Sequence, residues 1–223
     1  MKHYTRLQIF MHTAAWFPFA RLAFEAFTGD LSANPIQHLE QRTGRAALTL
    51  LILSLACTPL NTLFGWSELL KRRRALGLYA FLYATVHVII FFNLDYGLAW
   101  SLFTQTIIQK PYIVVGVTAF LMLIPLAITS FDVWKVRMGK NWWRLHSLIY
   151  YIAPLAILHY AWGKKGDFFA LQGEIVKPLI YAGVFAVLMI LRIPPVRRKL
   201  VSWRTRLRVR FTRRAPKETN QVP

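Results

Sequence analysis

The sequence predicts an all-α integral membrane protein, a bundle of six transmembrane helices with both termini in the cytoplasm. Two observations predict this class. The 223 residues are 56% hydrophobic and yet carry a formal net charge of +19. The charge is confined to short clusters between apolar runs of about 20 residues, the length that crosses a bilayer. A nucleic-acid-binding domain would interleave its basic residues with a moderately hydrophobic fold, so no nucleic-acid partner is expected.

Six apolar runs define the predicted spans. The first run follows two basic residues, as a signal peptide would. It is interrupted in its outer half by Pro18, Arg21 and Glu25, and no small-residue cleavage site follows, so we keep it as a span. The spans are placed, in chain order, at 7–27, 46–66, 76–96, 111–130, 145–162 and 175–193.

Lysine and arginine lie mainly on one side of these spans. "KRRR" at 71–74, the segment before the fifth span and the segment after Arg192 share that side with Lys2 and Arg6. Because basic loops stay in the cytoplasm, this side is predicted to be cytoplasmic. A membrane domain, 1–198, is then followed by a basic tail, 199–223. The tail is expected to bind anionic membrane lipid, with docking of a cytoplasmic protein as the alternative.

The cysteine content restricts the redox chemistry open to the chain. Cys57 is the one cysteine of the sequence and lies inside the second span. Disulfides, iron–sulfur clusters and the C-x-x-C-H attachment of c-type haem are therefore excluded within this chain. A redox cofactor would have to be bound non-covalently, through histidine.

Four of the six histidines lie within the spans or at their edges, where ionisable groups are functional candidates. Counted at the helical rise from the cytoplasmic ends, His87 lies about 16 Å and His159 about 21 Å into the membrane. Both therefore fall in the outer half. His12 lies about 9 Å from the cytoplasmic side, and His146 lies at that side.

Two histidines on different helices at one depth can bind a single haem iron from its two faces. Small residues precede each of the two deep histidines on the same helical face. They are Gly77, Ala80 and Ala84 before His87, and Ala153 and Ala156 before His159. Such stripes also pack membrane helices against one another, so hydrogen-bonded packing histidines are the alternative.

Seven segments between residues 8 and 198 resemble one family. They are "NP" at 34–35, "TGRAAL" at 43–48, "RRRALGLYAFLYATVH" at 72–87, "KPYIVVG" at 110–116, "LAITS" at 126–130, "GKNWWRLHSLIYY" at 139–151 and "ILHYAW" at 157–162. The sequence resembles the MsrQ (YedZ) family, haem-binding membrane subunits of the periplasmic protein-methionine-sulfoxide reductase system. That family belongs to the ferric-reductase-like transmembrane superfamily.

The resemblance implies a haem b protein of the bacterial inner membrane that transfers electrons without itself being the catalytic subunit. Its partner would be a periplasmic molybdopterin-containing methionine sulfoxide reductase, which repairs oxidised proteins. The implied axial ligands of the outer haem are His87 and His159, the pair that the depth estimate also selects.

A second haem is implied less completely. His146 matches a family histidine. Larger members of the superfamily have a second histidine ligand for the inner haem on the third helix, and Arg73 or Arg74 stands at that position here. His12 lies at a suitable depth, so His12 and His146 are the candidate pair. The alternatives are an interfacial histidine bonded to backbone or water at His12, and an anchor in an aromatic belt at His146.

Haem propionates favour basic groups at the membrane edge, and Arg45, within "TGR", is the candidate. An arginine that extends to the interface is the alternative.

The sequence has no G-x-G-x-x-G segment, so nicotinamide oxidation by this chain is not expected. The resemblance implies electrons from the quinone pool and a possible FMN, for which no phosphate-binding loop is found. A cytoplasmic flavin reductase docked on the tail is the other donor.

Two rival functions were weighed. A proton or metal transporter should carry paired carboxylates near the middle of the membrane. The spans hold little beyond Glu25 and Asp95, both near outer ends, which disfavours transport. A stand-alone transmembrane ferric or quinone reductase without a dedicated protein partner is not separable by sequence from the favoured interpretation.

Overall fold

The structure is a computed structural model that describes residues 5–95, 97–164, 166–167 and 172–213. Lys2, the greater part of the loop at 165–171 and the end of the basic tail, 214–223, lie outside the described residues. The described chain is helical, except for turns and one antiparallel ladder of two residue pairs, β1 (Gly166–Asp167) with β2 (Gln172–Gly173). The predicted all-α class is therefore confirmed.

Ten α-helices follow one another along the described chain. They are α1 (Arg6–Thr28), α2 (Pro35–Phe64), α3 (Ser67–Ile90), α4 (Trp100–Gln109), α5 (Pro111–Ile128), α6 (Asp132–Met138), α7 (Lys140–His146), α8 (Ile149–Trp162), α9 (Val176–Ile190) and α10 (Pro194–Arg213). A π-helical turn, Phe91–Asp95, continues α3. The most extensive packing joins α2 to α3, and α5 to α8 comes next.

Helix α2 begins much earlier than the predicted span at 46–66. The Asn34 side chain accepts a hydrogen bond from the Gln37 amide, and Pro35 occupies the first turn, which together start the helix there. The 30 residues of α2 extend for about 45 Å, more than the hydrocarbon core requires. The apolar run marked only the part of the helix that is suited to lipid. The earlier turns carry residues that contact the candidate site.

Within the part of the chain that the structure describes, three helical segments are long and apolar enough to cross a membrane: Pro35–Phe64, Ser67–Asp95 and Pro111–Ile128. The pair α9 and α10, bent by 77°, adds a fourth if it is counted as one span. Helices α1 and α8 match the predicted spans at 7–27 and 145–162 in position. Charged residues interrupt α1, and α8 has only 14 residues. Helix α4 was not predicted.

Helix α1 is fastened to α3 at its proline. Pro18 lies inside α1, and beside it the buried Tyr83 hydroxyl of α3 donates to the Ala15 carbonyl at 2.7 Å and accepts from the Phe19 amide at 3.2 Å. These two backbone groups would otherwise bond to each other in a regular helix. The hydroxyl therefore provides a partner for both backbone groups beside Pro18 and holds the two helices together.

The two ends of the bundle differ in charge. One end, here called the basic end, carries Arg72, Arg73, Arg74, Arg137, Arg144 and Arg192. The opposite end carries the Glu25 carboxylate of α1, which accepts from His38 at 2.9 Å and from Arg42 at 3.2 Å on α2. Lys164, after α8, donates to Gln41 of α2 at 3.2 Å at the same end. The basic residues Arg42 and Lys164 at this opposite end are therefore paired with carboxylate or amide oxygens.

Candidate functional site

His87 of α3 and His159 of α8 lie side by side near the opposite end. Their ring centroids are 6.2 Å apart, and the ring planes make an angle of 76°. Two imidazoles bound to one metal ion, each at about 2 Å, would have ring centres about 6 Å apart. The observed separation is therefore compatible with the binding of one metal ion by both imidazoles.

Each of the two rings is held through Nδ1 by a backbone carbonyl. His87 Nδ1 donates to the Glu40 carbonyl of α2 at 3.0 Å, and His159 Nδ1 donates to the Tyr112 carbonyl of α5 at 2.8 Å. Because a carbonyl only accepts, Nδ1 carries the hydrogen and Nε2 keeps its lone pair. A histidine fixed in this way is prepared to bind a metal through Nε2.

A glycine makes room for each ring. A Cβ atom on Gly116 of α5 would lie 2.6 Å from His159 Nδ1, which is closer than real Cβ atoms approach. A Cβ atom on Gly44 of α2 would lie 3.3 Å from His87 Nδ1, a tight contact. Each glycine follows the carbonyl residue by one helical turn. The missing side chain therefore exposes that carbonyl to a second donor.

The two halves of the site repeat each other in sequence. Both histidine–carbonyl bonds join residues 47 positions apart. Gly116 follows Gly44 by the same number of residues as His159 follows His87. The histidines could be identified from the sequence, whereas the glycines and the carbonyls were not predicted. The equal glycine-to-histidine spacing is the pattern that could have revealed them.

The end of the bundle that carries the pair also holds polar side chains that the pair does not use. The Tyr160 hydroxyl and Glu40 Oε1 are buried and make no hydrogen bond within 3.5 Å in the described chain. Arg45 lies close enough to Tyr160 and Glu174 to act on both electrostatically, while its Nε donates to the Gln41 carbonyl at 3.0 Å. Lys164, which is bonded to Glu174, holds the pKa of that carboxyl below its usual value. A free hydroxyl and a cation are suited to the carboxylate of a bound group.

His12 and His146 are placed apart from this pair and from each other. His12 Nδ1 forms a hydrogen bond with the Tyr79 hydroxyl at 2.8 Å. His146 stacks on Trp142 with ring centroids 3.9 Å apart, and its Nε2 lies 3.1 Å from the Thr129 hydroxyl. No hydrogen bond or ring contact joins His12 to His146 within the described chain.

The state of His146 follows from its partner. The Thr129 hydroxyl donates its one hydrogen to the Pro125 carbonyl at 2.6 Å, so it accepts from His146 Nε2. Nε2 therefore carries the hydrogen, and its lone pair is not available to a metal. Binding of iron through this nitrogen would require the Thr129 bond to break.

The donor set of the central pair indicates the kind of group it can hold. No cluster of three or more His, Cys, Asp or Glu side chains suited to a metal ion occurs among the residues that were placed. Two imidazoles fill only two positions, whereas protein metal sites usually have four or more ligands. The remaining ligands would have to come from water or from a cofactor. Haem iron is bound in proteins by histidine, so two imidazoles that offer Nε2 would be able to hold haem.

Comparison with known proteins identifies similar sequences. The family model described as "Ferric reductase like transmembrane component" matches residues 43–157. A protein of Xanthomonas axonopodis pv. citri, strain 306, named "Protein-methionine-sulfoxide reductase heme-binding subunit MsrQ", is 44% identical over 185 residues, which cover 80% of this chain and 82% of that protein. A protein of the same name from Herminiimonas arsenicoxydans is 40% identical over 190 residues, 85% of each chain. No solved structure matches the chain.

Proposed function

Because the chain belongs to the MsrQ family of ferric-reductase-like transmembrane proteins, we propose that it is the haem-binding membrane subunit of a protein-methionine-sulfoxide reductase. It binds haem b between His87 and His159 and passes electrons to a periplasmic molybdopterin-containing catalytic subunit. The observation that carries this proposal is the pair of imidazoles, 6.2 Å apart, each with Nδ1 bonded to a carbonyl.

The chain contributes ligation, orientation and exclusion of water. His87 and His159 offer Nε2 to the iron, and the carbonyl bonds keep the rings from turning. Gly44 and Gly116 let the rings approach α2 and α5. Arg45 and the Tyr160 hydroxyl are proposed to bind a propionate, which is supported by the proximity of these two groups to each other. Haem, when bound, supplies the one-electron redox chemistry.

The proposed topology has six membrane crossings, with the basic end in the cytoplasm and the histidine pair towards the periplasm. It is supported by the clustering of arginines at one end, as the positive-inside rule requires. In this orientation the pair lies close to the surface that a periplasmic partner can reach. The protein is then a multi-pass protein of the bacterial inner membrane.

The electron donor is proposed to be the quinone pool or a flavin, with FMN or a separate cytoplasmic flavin reductase as the flavin source. This part of the proposal is supported by the similarity to the MsrQ family. The relatives' printed names do not specify a donor.

A spectroscopic experiment tests the haem site. We expect His87→Ala and His159→Ala each to abolish the low-spin haem absorption of the purified protein, because a ligand to iron is lost. His38→Ala serves as the matched control, since His38 bonds to Glu25 and not to the pair, and it should keep the spectrum. An unchanged spectrum in both site variants would refute the assignment.

A second haem on His12 and His146 is a separate proposal with its own measurement. A pyridine haemochrome assay gives the number of haems per chain. A ratio of two, falling to one in His146→Ala, would support the second pair. A ratio of one, unchanged in His146→Ala, would leave His146 as a partner of Thr129 and Trp142 only.

A further inference from the structure

Two adjoining cavities lie at the basic end, where the chain bends between α9 and α10. Their volumes are about 330 and 460 Å³, and both are lined by Arg192 and Arg197. Thr58, Tyr150, Met189 and Leu191 complete the first cavity, and Arg198, Val201 and Ser202 line the second. We refer to the two together as the arginine pocket. It lies far from the histidine pair, which is at the opposite end.

The arginine pocket holds positive charge that the described residues do not balance. Arg192, Arg197 and Arg198 line it, and no carboxylate is among the residues lining either cavity. The side chains of Arg197 and Arg198 form no hydrogen bond or ion pair with any described residue. Three guanidinium groups around one cavity repel each other unless an anion is present.

Arg192 is fixed in place by the proline of α2. Pro59 has no amide hydrogen, so the carbonyl of Leu55, one turn earlier, lacks its helical partner. Arg192 donates to this carbonyl at 2.6 Å and to the Tyr150 hydroxyl at 2.8 Å. Its Nε is buried and has no partner within the described chain. One cation of the pocket is therefore held rigidly, with a donor still free.

We propose that the arginine pocket binds one anionic phospholipid through its phosphodiester group. Guanidinium groups match phosphate oxygens in geometry and charge. The walls also include apolar side chains, Met189, Leu191 and Val201, which suit an acyl chain better than water. A ligand with both features is a lipid of the adjacent leaflet, where basic pockets between helices bind anionic headgroups. A neutral quinone would leave the three charges unbalanced.

The bound lipid has a structural consequence for α10. Arg204 of α10 donates to the carbonyls of Asn61 and Thr62 at 2.8 and 3.0 Å, at the end of α2. This contact holds the middle of α10. The lipid would hold its first turns by bridging Arg197 and Arg198 to the rigid Arg192. The tail is then docked at a defined site, in addition to any general attraction to the membrane.

The test compares two double variants of α10 with the same loss of charge. Arg197→Ala with Arg198→Ala removes two cations of the pocket, whereas Lys199→Ala with Arg206→Ala removes two exposed cations outside its lining. Full-length protein in detergent is titrated with phosphatidylglycerol, phosphatidylethanolamine or inorganic phosphate, and thermal unfolding is followed. Native mass spectrometry records lipid retained after purification. The haem spectrum checks that each variant folds.

We expect phosphatidylglycerol to raise the melting temperature of the wild type and of the control pair. The pocket variant should bind it roughly tenfold or more weakly and retain no lipid. Equal responses of the two double variants would overturn the proposal in favour of general electrostatic attraction. Stabilisation by inorganic phosphate alone, equal stabilisation by phosphatidylethanolamine, or no response of the wild type would also overturn it.

Discussion

Gly116 shows how a single missing side chain can decide the geometry of a ligand. His159 reaches the Tyr112 carbonyl at 2.8 Å because nothing on Gly116 stands in the way. Helix propensity alone would favour alanine over glycine at this position by about 1 kcal/mol. The glycine is therefore better explained by the approach of the ring than by the needs of the helix.

We predict that Gly116→Ala weakens haem retention about tenfold to a hundredfold, the usual cost of disturbing a group that orients a metal ligand. The new Cβ would lie 2.6 Å from Nδ1, so the ring must move and the carbonyl bond is lost. Haem content per chain and the absorption spectrum measure the effect. Gly183→Ala is the control, since its Cβ meets nothing within 4 Å. Equal haem content in the two variants would contradict the explanation.

Arg45 is predicted to raise the reduction potential of the proposed haem. A nearby positive charge stabilises the reduced, less positive form, so Arg45→Gln should lower the midpoint potential by some tens of millivolts. Redox titration of the purified protein measures this change. Arg21→Gln is a suitable control, because Arg21 is exposed and bonds to Glu25 at the same end of the bundle. An unchanged potential in Arg45→Gln would leave Arg45 as an interfacial residue.

The sequence identified the histidines but not the groups that hold them, for a physical reason. Helical rise alone places His87 and His159 at similar depth, so the pair could be predicted without tertiary structure. Their partners are backbone carbonyls on other helices, and every residue has a carbonyl. Which one faces a histidine depends on how the helices pack. Only the glycines leave a trace in the sequence.

At the scale of single helices, apolar runs predicted where lipid-compatible helix occurs better than where helices begin and end. The first, fourth and sixth spans agree with α1, α5 and α9 to within a few residues. The polar first turns of α2 and the basic first turns of α3 were not included, since neither is apolar. Helix α4 was missed for a related reason, because it is short and lies between two spans.

A substitution of Tyr83 tests how strongly its hydroxyl holds α1 against α3. Tyr83→Phe would leave the Ala15 carbonyl and the Phe19 amide without their partner beside Pro18. We expect a loss of about 1–3 kcal/mol, the cost of an unsatisfied buried polar group. Thermal unfolding in detergent should show a lower melting temperature for this variant. Tyr151→Phe is the control, because Tyr151 is exposed. Equal melting temperatures would mean that the hydroxyl does not stabilise the contact between α1 and α3.

At the scale of the whole molecule, the two proposed binding sites lie at opposite ends of the bundle. The histidine pair is held by residues of α2, α3, α5 and α8, while the arginine pocket is formed where α9 and α10 meet α2 and α8. The distribution of lysine and arginine along the sequence predicted that the two ends of the bundle differ in charge. It could not predict that the tail turns back onto α2, because that contact depends on Arg204 and two carbonyls far away in the chain.

Removal of the tail tests whether the two ends are independent. A chain cut after Lys199 loses most of α10 but none of the groups that hold His87 and His159, so its reduced-minus-oxidised haem spectrum should match that of the full chain. It also loses the Arg204 bonds to Asn61 and Thr62, so the Thr62 carbonyl loses this donor, while the Asn61 carbonyl keeps its bond from the Gly65 amide. We therefore expect a lower melting temperature with haem content unchanged.

Full-length Arg204→Ala separates the two effects of that cut. It removes only the Arg204 bonds to the Asn61 and Thr62 carbonyls, so it should reproduce part of the loss of stability, about 1–3 kcal/mol, and keep the haem spectrum. If truncation instead abolished the haem spectrum while Arg204→Ala did not, α10 would be needed to form the histidine pair. The independence of the ends follows from the contacts of α10, which reach α2 near its final turns, remote from Gly44 and Glu40.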